Sequence, residues 1–532
     1  MDPHLDILFR YHELTKHRMD RYAPGPGGLD WATQPNPFRR YAGAPFTPFE
    51  LPDPDEPSRV EPAVVDVHSL SRLFYDSLAI SAWKQAGDSR WALRVNPSSG
   101  NLHPTEGYVI CGPLSGLADH PGVFHYAPDE HGLECRARLS PLAWDALSAG
   151  FPPNTVFVGL CSILWREAWK YGERAFRYCQ HDIGHALAAI GIAAGRLGWR
   201  TQLLNGLNGP ALARWLGVTA DAGDEPEHPD CLLAIVPGRT ARIPALAPAG
   251  DILLHPPVDW LGEPNRLSPE TVAWPELALA AETVFKAPAA LDDAEAAIPG
   301  LPGGEYSRRL LHQRRSAVAM DGETRLDPAR FYAILRAVMP EREPFPVLSW
   351  MPRTHLVLFV HRVNGLDPGL YCLPRRTASL PELRRAFRPE FSWHTPPGCP
   401  EDVPLRLLVP AACEEAARVI SCNQYIASDG CFSLGMLAEF EPPLAQFGPG
   451  CYPRLYWECG FIGQILYLEA ERAGIRATGI GCFFDDAMHQ ILGLESRQFQ
   501  SLYHFTLGGP EEDRRITTLP GYAPRSVKAI RE

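Results

Sequence analysis

Apolar residues along this chain recur with two spacings, which follow one another in the same order in each half. Residues 66–83 place apolar side chains on one helical stripe and are predicted to form a helix. A longer helical stretch is expected from about Glu167 to Leu197. Short apolar runs predict buried strands at 107–114, 155–164 and 231–238. The first half is therefore expected to combine helices with a sheet.

The second half repeats this order of elements. The predictions are a helix at 327–338, strands at 355–363 and 405–412, a helix at 460–474 and a strand at 501–509. Helices segregated around an interrupted sheet are typical of an α+β fold. We therefore predict an α+β fold for the whole chain.

Individual residues repeat as well. Gly184, Gly198 and Gly217 recur at one constant offset as Gly460, Gly474 and Gly493. Solenoid repeats have a period of only about 20–50 residues, so this much longer spacing indicates a duplicated domain. Such a chain is equivalent to a homodimer fused into one polypeptide. A site at the interface can then persist in one copy and be lost from the other.

Composition divides the chain into four parts. Residues 1–58 are rich in loops and are expected to form an arm on the surface of a domain. The first domain is predicted at 59–239 and the second at 305–532. The Pro- and Ala-rich residues 240–304 are the predicted linker between them.

Charge and composition exclude several classes of protein. The 532 residues carry a net charge of −12, which argues against a general binder of nucleic acid or of anionic membranes. Neither a signal peptide nor an apolar run of transmembrane length is evident, so a cytoplasmic location is expected. The 13 cysteines form no tight framework and are predicted to be buried, reduced thiols.

The loop at 95–106 is the most specific motif. Its small hydroxyl residues follow a proline and precede a Gly-Asn pair, so backbone and side-chain donors come together in a tight turn. Such donors suit the polar edges of a planar cofactor. An ordinary Asn/Ser/Gly turn is the alternative that composition alone favours.

Four segments together make the chain resemble a known family: 96–106, 170–186, 313–322 and 478–494. They are similar to the nitroreductase-like FMN flavoproteins, specifically to the SagB/ThcOx-type dehydrogenase branch that includes azoline oxidases of peptide natural-product pathways. The resemblance covers most of both halves. It implies an α+β sandwich that dimerises with FMN at the interface, here as two tandem nitroreductase-like domains forming an intrachain pseudo-dimer.

The resemblance implies that both halves contribute to one flavin site. Arg314, Arg315 and Ser316 match the element that binds the phosphate and the ribityl chain. We expect this element near a helix start, where its donors suit a phosphate. The loop donated by the partner subunit corresponds here to Pro97, Ser98, Ser99 and Asn101, in the first half.

Two further segments of the second half complete the implied site. The strand and loop beside the flavin ring correspond to Gly479, Ile480, Gly481 and Cys482. Small residues there allow backbone N–H groups to approach the ring. A terminal basic residue that pairs with the phosphate would be Arg514 or Arg515.

The reciprocal site is predicted to be lost, because residues 15–17 and 348–355 lack the matching elements. We therefore expect one FMN per chain. The retained elements also depart from the family pattern, with Val318 and Met320 after the arginine pair and with His103 and Thr105 after the asparagine. These departures indicate specialisation away from generic nitro or quinone reduction.

Lys170 and Tyr171 resemble the Lys-Tyr pair with which azoline oxidases remove a proton. A lysine desolvated near a flavin can act as a base near neutral pH. The alternative is a surface lysine beside a tyrosine that only packs against a helix. Both readings stay open at the level of sequence.

No metal site is predicted. Cys179, His181 and His185 have metal-like spacing, but there is no obvious third ligand beyond the histidines and no metalloprotease glutamate, which favours core histidines. Asp485 and Asp486 are expected to cap a helix and to complement its dipole.

The sequence thus predicts an FMN-dependent oxidoreductase that removes a hydride from a modified peptide or another small metabolite. The first alternative is an NAD(P)H-dependent reductase of the nitroreductase type. The second is a non-catalytic scaffold or substrate-binding partner in a biosynthetic complex. Either a monomer with an internal pseudo-dimer or a homodimer is compatible with the sequence.

Overall fold

The computed structural model describes residues 2–59, 61–218, 223, 225–238, 243–244, 259–288 and 305–523. Much of the predicted linker at 240–304 lies outside the described residues. Within its described part, residues 275–286 form a helix that sequence patterns did not predict.

The first half contains seven helices among the described residues. They are α1 (Pro3–Leu14), α2 (Val67–Tyr75), α3 (Pro141–Ser148), α4 (Leu164–Tyr171), α5 (Ala175–Arg196), α6 (Gly209–Leu216) and α7 (Pro275–Lys286). The strands are β1 (Tyr41–Ala42), β2 (Phe46–Pro48), β3 (Ile80–Ala86), β4 (Ser89–Arg94), β5 (Thr105–Cys111), β6 (Gly122–Ala127), β7 (Gly132–Arg138), β8 (Val156–Ser162), β9 (Trp199–Leu203), β10 (His228–Pro237) and β11 (Glu263–Pro264).

The second half adds a similar set of elements. The helices are α8 (Arg308–Gln313), α9 (Pro328–Ala337), α10 (Leu380–Ala386), α11 (Glu414–Ile420), α12 (Ile426–Asp429), α13 (Glu441–Phe447), α14 (Cys451–Arg472) and α15 (Asp485–Leu492). The strands are β12 (Ala319–Met320), β13 (Thr354–Val360), β14 (Gly369–Leu373), β15 (Arg406–Pro410), β16 (Phe432–Glu439), β17 (Arg476–Ile480), β18 (Phe499–Gly508), β19 (Pro510–Glu511) and β20 (Thr517–Pro520).

Two antiparallel sheets form the framework. The first runs in the order β2-β7-β6-β5-β8-β10-β9 and the second in the order β15-β14-β13-β16-β18-β17. A third sheet, β20-β3-β4, pairs a strand near the C-terminus with two strands of the first half. Helices and antiparallel strands thus coexist in separate regions, which confirms the predicted α+β fold.

The two longest helices, α5 and α14, pack against each other at the centre of the molecule. They touch at Gly184 and Gly460, where an added Cβ would collide with the carbonyl oxygens of Trp457 and His181, respectively. Nearly all residues of both helices are buried. One hydrophobic cluster accordingly includes residues of both halves. Glycine at these two positions permits the close approach of the helix backbones.

The predicted helix at 66–83 is wrong in its second part. Helix α2 ends at Tyr75, and the following Asp76 binds Arg196 and Arg308 through its carboxylate. Residues 80–86 then form β3, which pairs with β4 and β20. Partners distant in sequence therefore decide the conformation of this stretch, and apolar spacing carries no information about them.

Residues 1–58 contact both halves of the chain and do not only cover the surface of a domain. Leu8 and Tyr11 of α1 are fully buried, and His12 hydrogen-bonds Tyr452 and Gln500 of the second half at 3.4 and 3.2 Å. Thr15 accepts a hydrogen bond of 2.9 Å from Nε of Arg177. The arm therefore ties the two halves together. Within the described ranges, every helix is too short or too polar to cross a bilayer.

Candidate functional site

A cavity of about 410 Å³ lies between the two halves, a volume typical of small-molecule sites. The first half contributes the loop at 97–103, the end of β4 and residues of α4 and α5. The second half contributes residues 314–316 and 476–482. The structure thus brings together the serine-rich loop, the arginine pair and the glycine strand, which are far apart in sequence.

The loop at 97–103 is held in an irregular, left-handed conformation. Gly100, Asn101 and His103 have φ angles of 58°, 61° and 53°. The side-chain amide of Asn101 donates to the carbonyl of Ala92 at 2.8 Å, and the hydroxyl of Ser98 accepts from the backbone N–H of His103 at 2.8 Å. Side-chain hydrogen bonds of this kind stabilise the turn and leave its outer edge facing the cavity.

Arg314 is a buried arginine of the cavity whose side chain is only partly hydrogen-bonded. It follows the C-terminus of α8, which corrects our expectation of a helix start. Its side chain is buried, and only Nη2 has a hydrogen-bond partner, the carbonyl of Arg94 at 3.1 Å. Nε and Nη1 have none. Burial lowers the pKa of this guanidinium. A buried, half-satisfied cation costs stability unless an anion completes it, and its free N–H groups fit a phosphate.

Three more cationic side chains line the same cavity as Arg314. Arg315 donates from Nη1 to the carbonyls of His312 and Arg314, each at 2.7 Å, and burial lowers its pKa to about 10. Arg476 and Lys84 also line the cavity. Burial, with the nearby Arg315, lowers the pKa of Lys84. Arg476 also pairs with Glu512 at 2.6 Å, so Arg314 is the arginine of this group that keeps buried N–H groups free for an anion.

Sequence reasoning missed Arg476 and Lys84 and favoured Arg514 or Arg515. The latter two are exposed and lie outside the cavity lining, and Arg515 pairs with its neighbour Asp513 at 2.7 Å. Arg476 stands three residues before Gly479, so position in the glycine strand was the available signal. Lys84 was not identified, because the predicted helix at 66–83 covered the first four residues of β3 and hid the strand to which Lys84 belongs.

The glycines of the strand and loop at 479–482 lie against tyrosine side chains. The N–H of Gly479 donates to the hydroxyl of Tyr467 at 2.9 Å and is therefore already engaged. Ser316 donates to the same hydroxyl at 2.9 Å. A Cβ at Gly479 would strike the hydroxyl of Tyr503, and one at Gly481 would strike the ring of Tyr178. Both glycines thus make room for tyrosines that line the cavity. Ile480 and Cys482 also line it.

Two buried carboxyl groups lie behind the serine-rich loop. Asp182 accepts the backbone N–H of Ser99 at 3.1 Å, and Glu167 accepts the hydroxyl of Ser98 at 3.4 Å. Burial raises the pKa of Asp182 to about 7. Burial and the neighbouring Asp182 raise the pKa of Glu167 well above its usual range. Glu167 is therefore protonated at neutral pH, whereas Asp182, which lines the cavity, gains or loses its proton there.

The pKa of Asp182 predicts a pH-dependent stability. Its folded-state pKa of about 7 lies above the unfolded value of roughly 3.9. The stabilisation from the protonated group is complete below the unfolded value and is lost as pH rises through about 7. Asp182→Asn removes this loss. The free energy of unfolding of the variant, relative to that of the wild type, should therefore rise by roughly 2–4 kcal/mol from acidic to alkaline pH. Urea unfolding of both proteins across this range measures the gain, and an unchanged difference would contradict it.

Lys170 and Tyr171 end helix α4 beside the cavity. Tyr171 lines it, and a Cβ added at Gly100 would stand 2.5 Å from the tyrosine hydroxyl and 3.2 Å from Nζ of Lys170. That Nζ lies 5.4 Å from the centre of the Tyr171 ring. Burial raises the pKa of Tyr171 well above its usual range. The pair therefore reaches the serine-rich loop, with the tyrosine directly on the cavity and the lysine behind it.

The described residues contain no cluster of His, Cys, Asp and Glu suited to a metal ion. His181 stacks on Tyr503 with ring centres 4.0 Å apart, as a core histidine does. Asp485 is not the predicted cap, because Phe484 precedes α15 and no side chain caps that helix. Asp485 instead binds Arg174 at 3.1 Å and Arg177 at 2.8 Å.

The reciprocal region differs from the cavity in its charges. This region contains a space of about 270 Å³. Residues of α5 line it, together with residues 199–201, 343, 344, 346 and 347. Its Arg196 is fully engaged, with hydrogen bonds from Nε, Nη1 and Nη2. Trp350, from the segment that replaces the serine-rich loop, is buried against Trp457. Lys16 pairs with Asp486 instead of facing this space.

Comparison with known proteins supports the fold assignment. No protein-family model and no curated protein matches the chain. A protein from Anabaena variabilis described as a nitroreductase is similar over 95% of this chain and 99% of its own, with 21% identity and a TM-score of 0.69. The E. coli microcin synthetase McbBCD complex is similar over 36% of this chain and 70% of that chain, with 18% identity and a TM-score of 0.27. The first similarity shows a nitroreductase-like fold.

Proposed function

We propose that the chain is an FMN-dependent oxidoreductase that binds one flavin in the cavity between its halves. The observation that carries this proposal is Arg314, a buried guanidinium with two unpartnered nitrogen atoms that faces the same cavity as the serine-rich loop. A nitroreductase-like fold and an anion-binding end fit a flavin mononucleotide better than they fit an uncharged ligand.

The lining residues fit the two ends of this cofactor. Arg314, Arg315, Arg476 and Ser316 would hold the phosphate and the ribityl chain. Pro97, Ser98, Ser99 and Asn101 would lie against the ring system, opposite Gly481 and Tyr178. We propose that this arrangement descends from a duplicated nitroreductase-like unit, with domains at 59–239 and 305–532. Its two copies would then play the parts of the two subunits of a homodimer.

The proposed reaction is removal of a hydride and a proton from a modified peptide or a small metabolite, as in azoline oxidation. FMN, when bound, supplies the hydride-accepting chemistry. Tyr171 borders the cavity as a protonated phenol, so it would hydrogen-bond the substrate, and Lys170 beside it would, as a neutral amine, accept the proton from a substrate carbon. The resemblance of residues 170–186 to azoline oxidases supports this choice of substrate class. A cytoplasmic location and partners in a biosynthetic complex stay predictions.

Flavin stoichiometry is the first test of this proposal. We expect about one FMN per chain, because the reciprocal region has no unpartnered arginine among its lining residues. Absorbance of the released flavin, together with quantitative amino-acid analysis, measures the ratio. Two tightly bound flavins per chain, or a protein that takes up none when FMN is added, would contradict the proposal.

Stopped-flow spectroscopy then separates the two directions of electron flow. We expect slow flavin reduction by NADPH alone and rapid reduction by an azoline-containing peptide. Rapid bleaching by NADPH without a peptide would instead identify a reductase.

A further inference from the structure

Cys422 and Cys482 differ from most of the cysteines because they are only partly buried. Ten of the 13 are buried, and the exceptions are Cys399, Cys422 and Cys482. Cys482 lines the cavity. Cys422 lies on the adjoining segment, where the backbone N–H of Phe484 donates to the carbonyl of Ile420 at 2.7 Å, and each of the two thiols shifts the pKa of the other. The amide of Gln424 also donates to the carbonyl of Cys482 at 3.0 Å, which holds the two segments together. A half-exposed thiol pair at a cavity wall is accessible to small reagents.

His17 of the N-terminal arm lies beside Cys482. The backbone N–H of Ala23 donates to Nδ1 of His17 at 2.9 Å, so the neutral ring carries its proton on Nε2. The backbone of His17 is bridged to Phe484 and its N–H donates to Asp485 at 3.0 Å, which places His17 next to Cys482, and the histidine lowers the pKa of that thiol. Burial lowers the pKa of His17, which keeps the ring neutral. The N-terminal arm therefore adds a neutral imidazole to the surroundings of the sulfur.

Charges on the surrounding elements also favour an ionised sulfur. Arg174 donates to the carbonyl of Gly481, next to Cys482, at 3.2 Å, and shares its charge with Asp485. The remaining titratable groups facing the pair are Tyr22, Tyr171 and Tyr178, all of them neutral at physiological pH. The Cys422 thiol first, and then His17, lower the pKa of Cys482 to about 5 against the opposing effect of burial.

Cys399 is an internal control of similar exposure. Its thiol donates to the carbonyl of Val403 at 3.2 Å, and burial raises its pKa. Cys422 differs again, because the neighbouring Cys482 raises its pKa and keeps it a thiol. The three half-exposed cysteines thus differ in protonation for reasons that the structure makes explicit.

We propose that Cys482 is a nucleophilic site in the cavity wall and that Cys422 is its resolving thiol, so that a hydroperoxide converts the pair into a disulfide. The sulfur of Cys482 attacks the O–O bond, accepts a hydroxyl group as sulfenic acid, and releases the other oxygen, which takes up a proton. Cys422 then attacks that sulfur, an S–S bond forms, and water leaves with the proton of Cys422. The two thiols lose two electrons, and the peroxide gains them.

This chemistry does not depend on a flavin. Its physiological meaning does rest on the proposed function, since reoxidation of a flavin by O2 would release peroxide in this same cavity. The disulfide would then link the segment after α11 to the wall of the substrate site.

The test uses the purified full-length protein and iodoacetamide, with labelling of each cysteine followed by peptide mass spectrometry. At about pH 6 we expect Cys482 to react roughly 10-fold or more faster than Cys399. His17→Ala should slow the labelling of Cys482 at this pH and leave that of Cys399 unchanged. Equal rates for the two cysteines in the wild-type protein would overturn the proposal.

The second experiment treats the protein with hydrogen peroxide. We expect a Cys422–Cys482 linked peptide after non-reducing digestion of the treated wild type. In Cys422→Ala we expect dimedone to trap a sulfenic acid on Cys482. Absence of both products would overturn the proposal. Neither readout requires bound FMN, so failure here is distinguishable from failure of the flavin proposal, which the stoichiometry measures.

Discussion

Arg314→Met is expected to weaken FMN binding by roughly 100-fold or more, while the flavin-free protein stays at least as stable as wild type. Each charge-assisted hydrogen bond to a phosphate contributes about 1.5–3 kcal/mol, and a factor of ten in affinity corresponds to about 1.4 kcal/mol. Arg314 has two nitrogen atoms free to make such bonds. In the flavin-free protein the same guanidinium is a buried charge with one hydrogen bond, so removing it relieves desolvation.

Methionine suits this substitution because its flexible side chain can pack on Tyr467, whose ring centre now lies 4.9 Å from the guanidinium carbon. Titration of flavin-free protein with FMN, followed by quenching of flavin fluorescence, gives the affinity, and thermal unfolding gives the stability. Arg515→Met is the matched control and should change neither quantity, because Arg515 is exposed and outside the cavity. Unchanged FMN affinity of Arg314→Met would refute the assigned role.

Lys170→Ala and Tyr171→Phe are expected to lower the turnover of an azoline-containing peptide by about 100-fold to 10,000-fold and to leave FMN bound. That range is typical of losing a positioned acid or base. The loss should fall on kcat more than on KM if the pair acts in proton transfer. Retention of FMN follows from the position of both residues at the end of α4, away from the arginine cluster.

The measurement is mass spectrometry of a peptide with one thiazoline, which loses two hydrogen atoms on oxidation to thiazole. Lys286→Ala is the matched control, since Lys286 is exposed on α7 and pairs with Glu282 of its own helix. Equal turnover in Lys170→Ala and Lys286→Ala would show that Lys170 is a surface lysine. Loss of FMN from Tyr171→Phe would instead point to a structural role for the tyrosine.

Residues 1–58 show which features local sequence predicts and which features depend on tertiary contacts. Residues 1–58 are rich in loop-forming residues, and we therefore interpreted them as an arm on a domain surface. Its buried face becomes evident only when α1 meets Tyr452 and Gln500. The same contacts place His17 beside Cys482, so a feature of the cavity depends on a segment that the motifs do not include.

The sequence alone determined the α+β class, the main strands and the motifs at 97–101, 314–316 and 479–482. Apolar periodicity records which faces are buried, and a motif records residue types at fixed local spacing, so both can be read without a fold. The tertiary structure decided which residues complete the site. Arg476 and Lys84, and not Arg514 or Arg515, join the arginine pair, because strand pairing brings β17 and β3 to the cavity. It also decided that Arg314 has only one of its nitrogen atoms hydrogen-bonded and that the segments of Cys422 and Cys482 lie side by side. Burial and contact between distant segments exist only once the chain has folded.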